Sequence, residues 1–385
     1  MRSIAMRATL IIAVLLIAGC GDRSTTTSTP TPVPTPTPAP MPMPTLPPNC
    51  VRALAEPPAD AWPLPATGRL PAAIRVSGGK VYGISIDPAT GSLAKKTSTL
   101  PFGTWSNVAV TPNGDLAYVL RDHCVQPLRV NGLGQIAPGA ACVPIVVGGL
   151  LDVHPTRRLL YMQDQSVCCP DPTSVHTFRV SLDGTLYGDE ITAIPWGTGR
   201  LLIHHNGVFA YRGHSEYCIG TSGAPELVAT FPSDTPDLSS AAFDASGRYL
   251  VTSGPATYRI DSQTGLLSLA ASGPERTPGP VAAHPSRDLV FVCPSSGDVD
   301  TYRLDRDTGA LTFLAKHPDS YSSWGGRLDV EPSGRFLYLQ NDTGLEDYLV
   351  IEGFRIESDG SLTEAYYTED WESARKLAFF LGPPF

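Results

Sequence analysis

No run of lysine or arginine stands out in this 385-residue chain, in which 37 acidic residues outnumber 28 basic ones and the formal net charge is -9. That balance offers no electrostatic footprint for a phosphate backbone, so no nucleic acid is expected as a partner. A Gly-x-Ser-x-Gly nucleophile elbow, a P-loop and a Rossmann glycine fingerprint are also missing, and the hydrolase, nucleotide and dinucleotide chemistries they signal lose their usual support. Helical periodicity is lacking, apart from a turn or two expected at Glu369 to Arg375. The one apolar run near the N-terminus, Leu10 to Ala18, is too short and wrongly flanked to span a membrane. No cofactor is expected and no metal either. The adjacent Cys168 and Cys169 have no second cysteine pair or His-x-x-His partner at zinc-finger spacing.

What is present begins with an export signal. Arg2 and Arg7, the run Leu10 to Ala18, and Gly19-Cys20 are the parts of a secretory leader. Ile17-Ala18-Gly19-Cys20 resembles the bacterial lipobox, with Ile17 where Leu is usual. That resemblance implies lipidation at Cys20 and a lipid-anchored envelope protein on the periplasmic or cell-surface side. Ser24 to Pro48 is almost entirely Thr, Pro, Ala, Met and Ser. Such a segment buries no core and favours extended polyproline II, so it reads as a spacer reaching on the order of 75 Å. The expected organisation is a signal peptide over 1–20, a Thr/Pro-rich linker over 21–50 and a folded domain over 51–385.

High Gly (36) and Pro (38) together with 42% hydrophobic residues point to a large core punctuated by turns. The turns repeat. Leu328-Asp329-Val330-Glu331-Pro332-Ser333-Gly334, followed by Arg335-Phe336-Leu337-Tyr338, reads as strand, tight turn and aromatic strand, which is a β-hairpin. Counterparts begin at Val108, Leu151, Leu201, Ala241 and Val281, with Tyr118, Tyr161, Tyr211, Tyr249 and Phe291 as their aromatic residues. A second mark of Asp, Thr, Gly and Leu recurs at Asp87 to Leu93, Asp261 to Leu267 and Asp305 to Leu311. Units of roughly 40 to 50 residues with four strands each are propeller blades. The first unit lacks its opening strand and the chain ends on an unpartnered one, Lys376 to Leu381. Pairing the two closes an all-β, seven-bladed ring and removes its exposed edges.

In an exported chain the cysteines read as disulfides. Cys124 with Cys142 is the natural pair, and Cys218 has Cys168 or Cys169 as the expected partner. Seven cysteines beyond Cys20 leave at least one thiol unpaired.

The hairpin phrase Pro332 to Tyr338 and the mark Asp-x-x-Thr-Gly-x-Leu resemble the seven-bladed lactonase-like propellers, among them 6-phosphogluconolactonases of propeller type and carboxy-muconate cyclases. The resemblance implies the fold and, as one functional alternative, a lactonase. The polar Asp-Leu-Gly segment that follows the His-bearing hairpin in that family has no counterpart after Asp152-Val153-His154-Pro155, so no catalytic residue is carried over.

Aligned, the hairpins place Thr111, His154, His204, Asp244, His284 and Glu331 at one position, where polar side chains bond a turn backbone. Two steps upstream on the same face stand Ala109, Asp152, Leu202, Ala242, Ala282 and Asp329, and two further back Asn107, Leu150, Arg200, Ser240, Pro280 and Arg327. The departures from the repeat, Asp152 and Asp329 as candidate bases with Arg200, Arg327 and Asn107 as ligand binders, are expected near one mouth of the channel. Trp105, Trp196 and Trp324 precede the same strands and are candidates for stacking on a ligand. The leading expectation is a tethered, non-catalytic module for a glycan or protein, and the alternative is a lactone hydrolase. His214, Glu216 and Tyr217 read as a surface loop.

Overall fold

The structure is a computed structural model that describes residues 46–56, 58–63, 72–77, 80–101, 107–121, 123–145, 149–164, 173–194, 199–231, 238–273, 278–294, 297–318, 327–342, 349–370 and 374–380. Each hairpin phrase folds as its residues dictate. Val, Leu, Ile and aromatic side chains favour the pleated backbone, and a glycine such as Gly334, at φ +75°, turns the chain where other residues are strained. Seven antiparallel sheets result, six with four strands and one with a fifth strand, Val143–Pro144, on its flank. We number them as blades 1 to 7. The inner strands of blades 2 to 7 are Val108–Val110, Gly149–Val153, Leu202–Ile203, Ala241–Phe243, Val281–Ala283 and Arg327–Val330. Blade 1 takes its inner strand from the C-terminus. Ala374–Phe380 pairs antiparallel with Ala72–Ser77, which closes the ring as the unpartnered terminal strand requires.

Glu369 and Asp370 finish the outer strand of blade 7, and Ala374 and Arg375 begin the closing strand. The described ends of the segment expected to form a helical turn are strand instead, because ring closure outweighs local preference, and residues 371–373 lie outside the described residues. Among the described residues an α-helix lies at Pro48–Ala55, where Pro at the first position is already set for a helical φ.

The apolar core is divided among the seams. Seven clusters each join two successive blades, such as Leu116, Tyr118 and Leu120 of blade 2 with Leu151, Leu160 and Met162 of blade 3. Polar bonds cross the same seams. The hydroxyls of Tyr118, Tyr161, Tyr211 and Tyr338 donate to the carbonyls of Gly184, Gly223, Gly265 and Gly91 in the next blade, at 3.3, 2.8, 2.6 and 2.6 Å. Tyr249 stands two residues out of step with them. Val251 faces Ala242 where Tyr338 faces Asp329, and Thr257 Oγ1 donates to Gly309 O across that seam at 2.6 Å.

The disulfides among the described residues are Cys124–Cys142, as expected, and Cys50–Cys218. The second corrects the pairing of Cys218 with Cys168 or Cys169, which lie outside the described residues. Cys293 is buried in blade 6. Cys50 fastens the helix to blade 4, Asp60 pairs with Arg157 at 3.0 Å, and Trp62 Nε1 donates to His154 O at 2.8 Å. The segment before blade 1 is thus a strap sewn to blades 3 and 4.

Candidate functional site at the channel mouth

Each inner strand has two ends, and they carry different chemistry. At the turn end, the repeated polar position is consumed by backbone. His154 Nδ1 accepts from Thr156 N and Arg157 N, which leaves the proton on Nε2 to be donated to Gly207 O of the next blade at 2.7 Å. His204 reaches Gly247 O in the same way at 2.7 Å, whereas His284 Nε2, 2.8 Å from Gly334 O, also meets Arg287 Nε at 2.7 Å. Burial holds His154 at about 4, and burial with the Arg287 charge holds His284 at about 4, so both stay neutral. Asp244 accepts from Ser246 N and Tyr249 N, and Glu331 from Ser333 N and Arg335 N. These side chains cap turns, as expected, and three of them also join blades, which no local signal revealed.

At the start of the strands the exceptions to the repeat come together. Asp329 Oδ2 is 2.7 Å from Arg327 Nε, Oδ1 accepts from Arg327 NH2 at 3.1 Å, and Gln340 Nε2 donates to Oδ2 at 3.0 Å. Asp152 Oδ2 accepts from Gln163 Nε2 at 2.8 Å, and its Oδ1 lies 3.5 Å from Nε of Arg200 in the next blade. A trio of Asp, Gln and Arg is therefore built twice, once across blades 3 and 4 and once within blade 7. Gln163 and Gln340 were missed by sequence reasoning, although each stands two residues after the hairpin tyrosine, a spacing that repeat arithmetic can find.

Arg200, Arg327, Asp329 and Asn107 line a central cavity of about 680 Å³ whose walls include Ala242, Ala282 and Phe243. The small residues at the aligned positions leave this space open. Asn107 is buried and accepts from Leu151 N at 3.3 Å, which links blades 2 and 3. Trp105, Trp196 and Trp324 lie outside the described residues, as does Cys20.

Each Arg keeps donors that the trio does not use. Arg200 touches Asp152 through Nε and its side chain is 44% exposed. Arg327 grips Asp329 through two nitrogens. The carboxylates, in contrast, are held by both an Arg and a Gln, an environment that suits an ion pair better than a free base.

Of His214, Glu216 and Tyr217, expected as a surface loop, His214 does sit half-buried in the turn between two strands, but the other two do not. Glu216 and Tyr217 are buried in the strand Ser215–Ile219, and neither carboxylate oxygen of Glu216 has a hydrogen-bond partner among the described residues. Glu216 stands opposite Tyr211, where the equivalent positions in blades 3, 5 and 6 hold Thr177, Thr257 and Thr301. Burial, aided by the Asp261 charge, pushes its carboxyl up to about 8.

No family model matches the chain and no curated protein matches it. Solved structures do. A periplasmic gluconolactonase from Pseudomonas aeruginosa aligns over 81% of this chain and 99% of its own at 16% identity and TM-score 0.63. A candidate 6-phosphogluconolactonase from Bacteroides fragilis aligns over 82% and 99% at 14% identity and TM-score 0.62. A protein from Lactobacillus plantarum aligns over 81% and 100% at 12% identity and TM-score 0.63. The fold is that of the lactonase-like propellers.

Proposed function

We propose that the protein is an envelope-located binding propeller whose channel mouth takes a small anionic or hydroxylated sugar derivative through Arg200 and Arg327. One observation carries the reading: the two Asp-Gln-Arg trios tie up both candidate bases while leaving guanidinium donors on the cavity side. Arginine presents planar paired donors that suit a carboxylate or vicinal hydroxyls. Two disulfides support an oxidising compartment, and the leader and spacer support a tether through Cys20. Membrane partition of the full chain that is lost in Cys20→Ser supports the tether, and unchanged partition refutes it.

A second reading, lactone hydrolysis at the same cavity, draws on the gluconolactonase among the structural neighbours. Water would add to the ring carbonyl, the ring C–O bond would break, and a hydroxy acid would form. Binding and hydrolysis measured together over a panel of sugar acids and lactones separate the readings. Binding without turnover, lost in Arg327→Ala, is expected. Turnover above background that vanishes in Asp152→Asn or Asp329→Asn overturns the non-catalytic reading.

A further inference from the structure

A second cavity, of about 500 Å³, lies at the opposite ends of the strands, between blades 2 and 3 and against the N-terminal strap. Its floor is apolar, made by the buried side chains of Leu116, Val130 and Ile136. Trp62 of the strap forms one wall. The indole packs on the apolar cluster between these blades, and its nitrogen is anchored on His154 O, so the ring is held in place.

The unspent polar groups around this floor are donors. Arg129 is exposed and makes no ion pair among the described residues. Arg158 also lines the cavity, and its buried Nε has no hydrogen-bond partner among the described residues. Gln135 accepts from Asn131 through Oε1, which leaves its amide NH2 free. The acid in the wall, Asp115, already accepts from Asn113 Nδ2 at 2.9 Å. Two guanidinium groups against one engaged carboxylate make a local positive site on a chain of net charge -9.

Donors without free acceptors call for an oxygen-rich anion, and a fixed indole over an apolar floor calls for a ligand with an apolar face. Inorganic phosphate supplies only the first. We propose that this cavity is a ligand site distinct from the channel mouth, and that it takes a carboxylated monosaccharide, with the carboxylate on Arg129 and Arg158 and the C–H face of the ring on Trp62. The strap then has a chemical role as well as a structural one, since it brings the aromatic wall.

Calorimetric titration of the full chain with D-glucuronate tests this, repeated in the Arg327→Ala protein to isolate the site from the channel mouth. Saturable binding is expected to persist in Arg327→Ala and to weaken by roughly tenfold or more in Arg129→Ala and in Arg158→Ala. Arg129 is exposed, so its removal keeps the fold and the outcome readable. Glucose is expected to bind at least tenfold more weakly, for want of the anion, and benzoate likewise, for want of hydroxyls. Absence of glucuronate binding, unchanged affinity in Arg129→Ala, or equal binding of glucose or benzoate overturns the proposal.

Discussion

The two ends of the inner strands use the same kinds of side chain to opposite effect. At the turn end, His154, His204, His284, Asp244 and Glu331 accept from local backbone N–H groups, and each histidine Nε2 also lies within 2.8 Å of a glycine carbonyl of the next blade. At the start of the strands, Asp152 and Asp329 are met by side chains, Gln and Arg, and the two arginines line the central cavity. Backbone partners are fixed by the fold and cost little entropy to hold. Side-chain partners must be ordered, and they can also be lent to something else. A polar residue bonded by backbone thus reads as architecture, and one bonded by side chains around a cavity reads as a site.

If the contrast is right, the turn end is where stability resides. His154→Ala removes a buried ring, its bond to Gly207 and its two backbone acceptances, and should destabilise the protein by about 4 kcal/mol in urea unfolding. The pH dependence has a defined sign. His154 and His284 titrate at about 4 in the fold against 6.5 ordinarily. Below pH 6.5 the unfolded chain takes up protons that the fold refuses, so the stability these residues contribute is lost progressively as pH falls toward 4. An acid limb unchanged in His154→Ala would remove this assignment.

Glu216 tests the seam between blades 4 and 5 in the other direction. Its carboxyl is raised from 4.5 to about 8, so between those values the fold keeps a proton that the unfolded chain has released, and stability falls as pH rises through that window. Blade 5 shows a remedy, because Thr257 in the equivalent place donates to Gly309 O. Glu216→Thr should flatten the alkaline loss and, after the packing lost with the smaller side chain, raise stability by about 2 kcal/mol at pH 7.5. A melting profile as steep as that of the parent would mean that the carboxyl is satisfied by something else.

A smaller effect belongs to the tyrosine bonds. Tyr161→Phe keeps the ring and deletes the donor to Gly223 O, and should cost about 1 kcal/mol. Phe291 already occupies this register in blade 6, opposite Ala282, so a seam without the hydroxyl is tolerated.

How much of this was legible in the sequence follows from distance along the chain. The hairpins were readable because Pro, Ser and Gly mark a turn within a few residues, and the ring closure because a strand was missing at one end and spare at the other. Period-two counting also located Asp152, Asp329, Arg200 and Arg327 on one face. The bond from Tyr338 to Gly91 and the disulfide Cys50–Cys218 span 247 and 168 residues and leave no local trace. Glu216 was misplaced because a run of polar residues reads as exposed when its burial is imposed by the neighbouring blade. Asn107 stood out only as polar, yet its oxygen is spent on Leu151 N.

The sharpest break of the comparison lies at the other end of the strands, where the smallest change in stability is expected. Arg327→Ala leaves Asp329 partly exposed and still bonded to Gln340, and the lost ion pair is reachable by solvent, with side-chain exposures of 34% and 23%. Pairs so placed contribute about 1 kcal/mol or less, so the unfolding midpoint should hardly move. Ligand affinity at the channel mouth should nevertheless fall by roughly tenfold or more, because a charged donor pair is removed from the cavity wall. A large loss of stability with no loss of binding would reverse the assignment and make Arg327 and Asp329 part of the architecture, like the capped turns at the far end of the same strands.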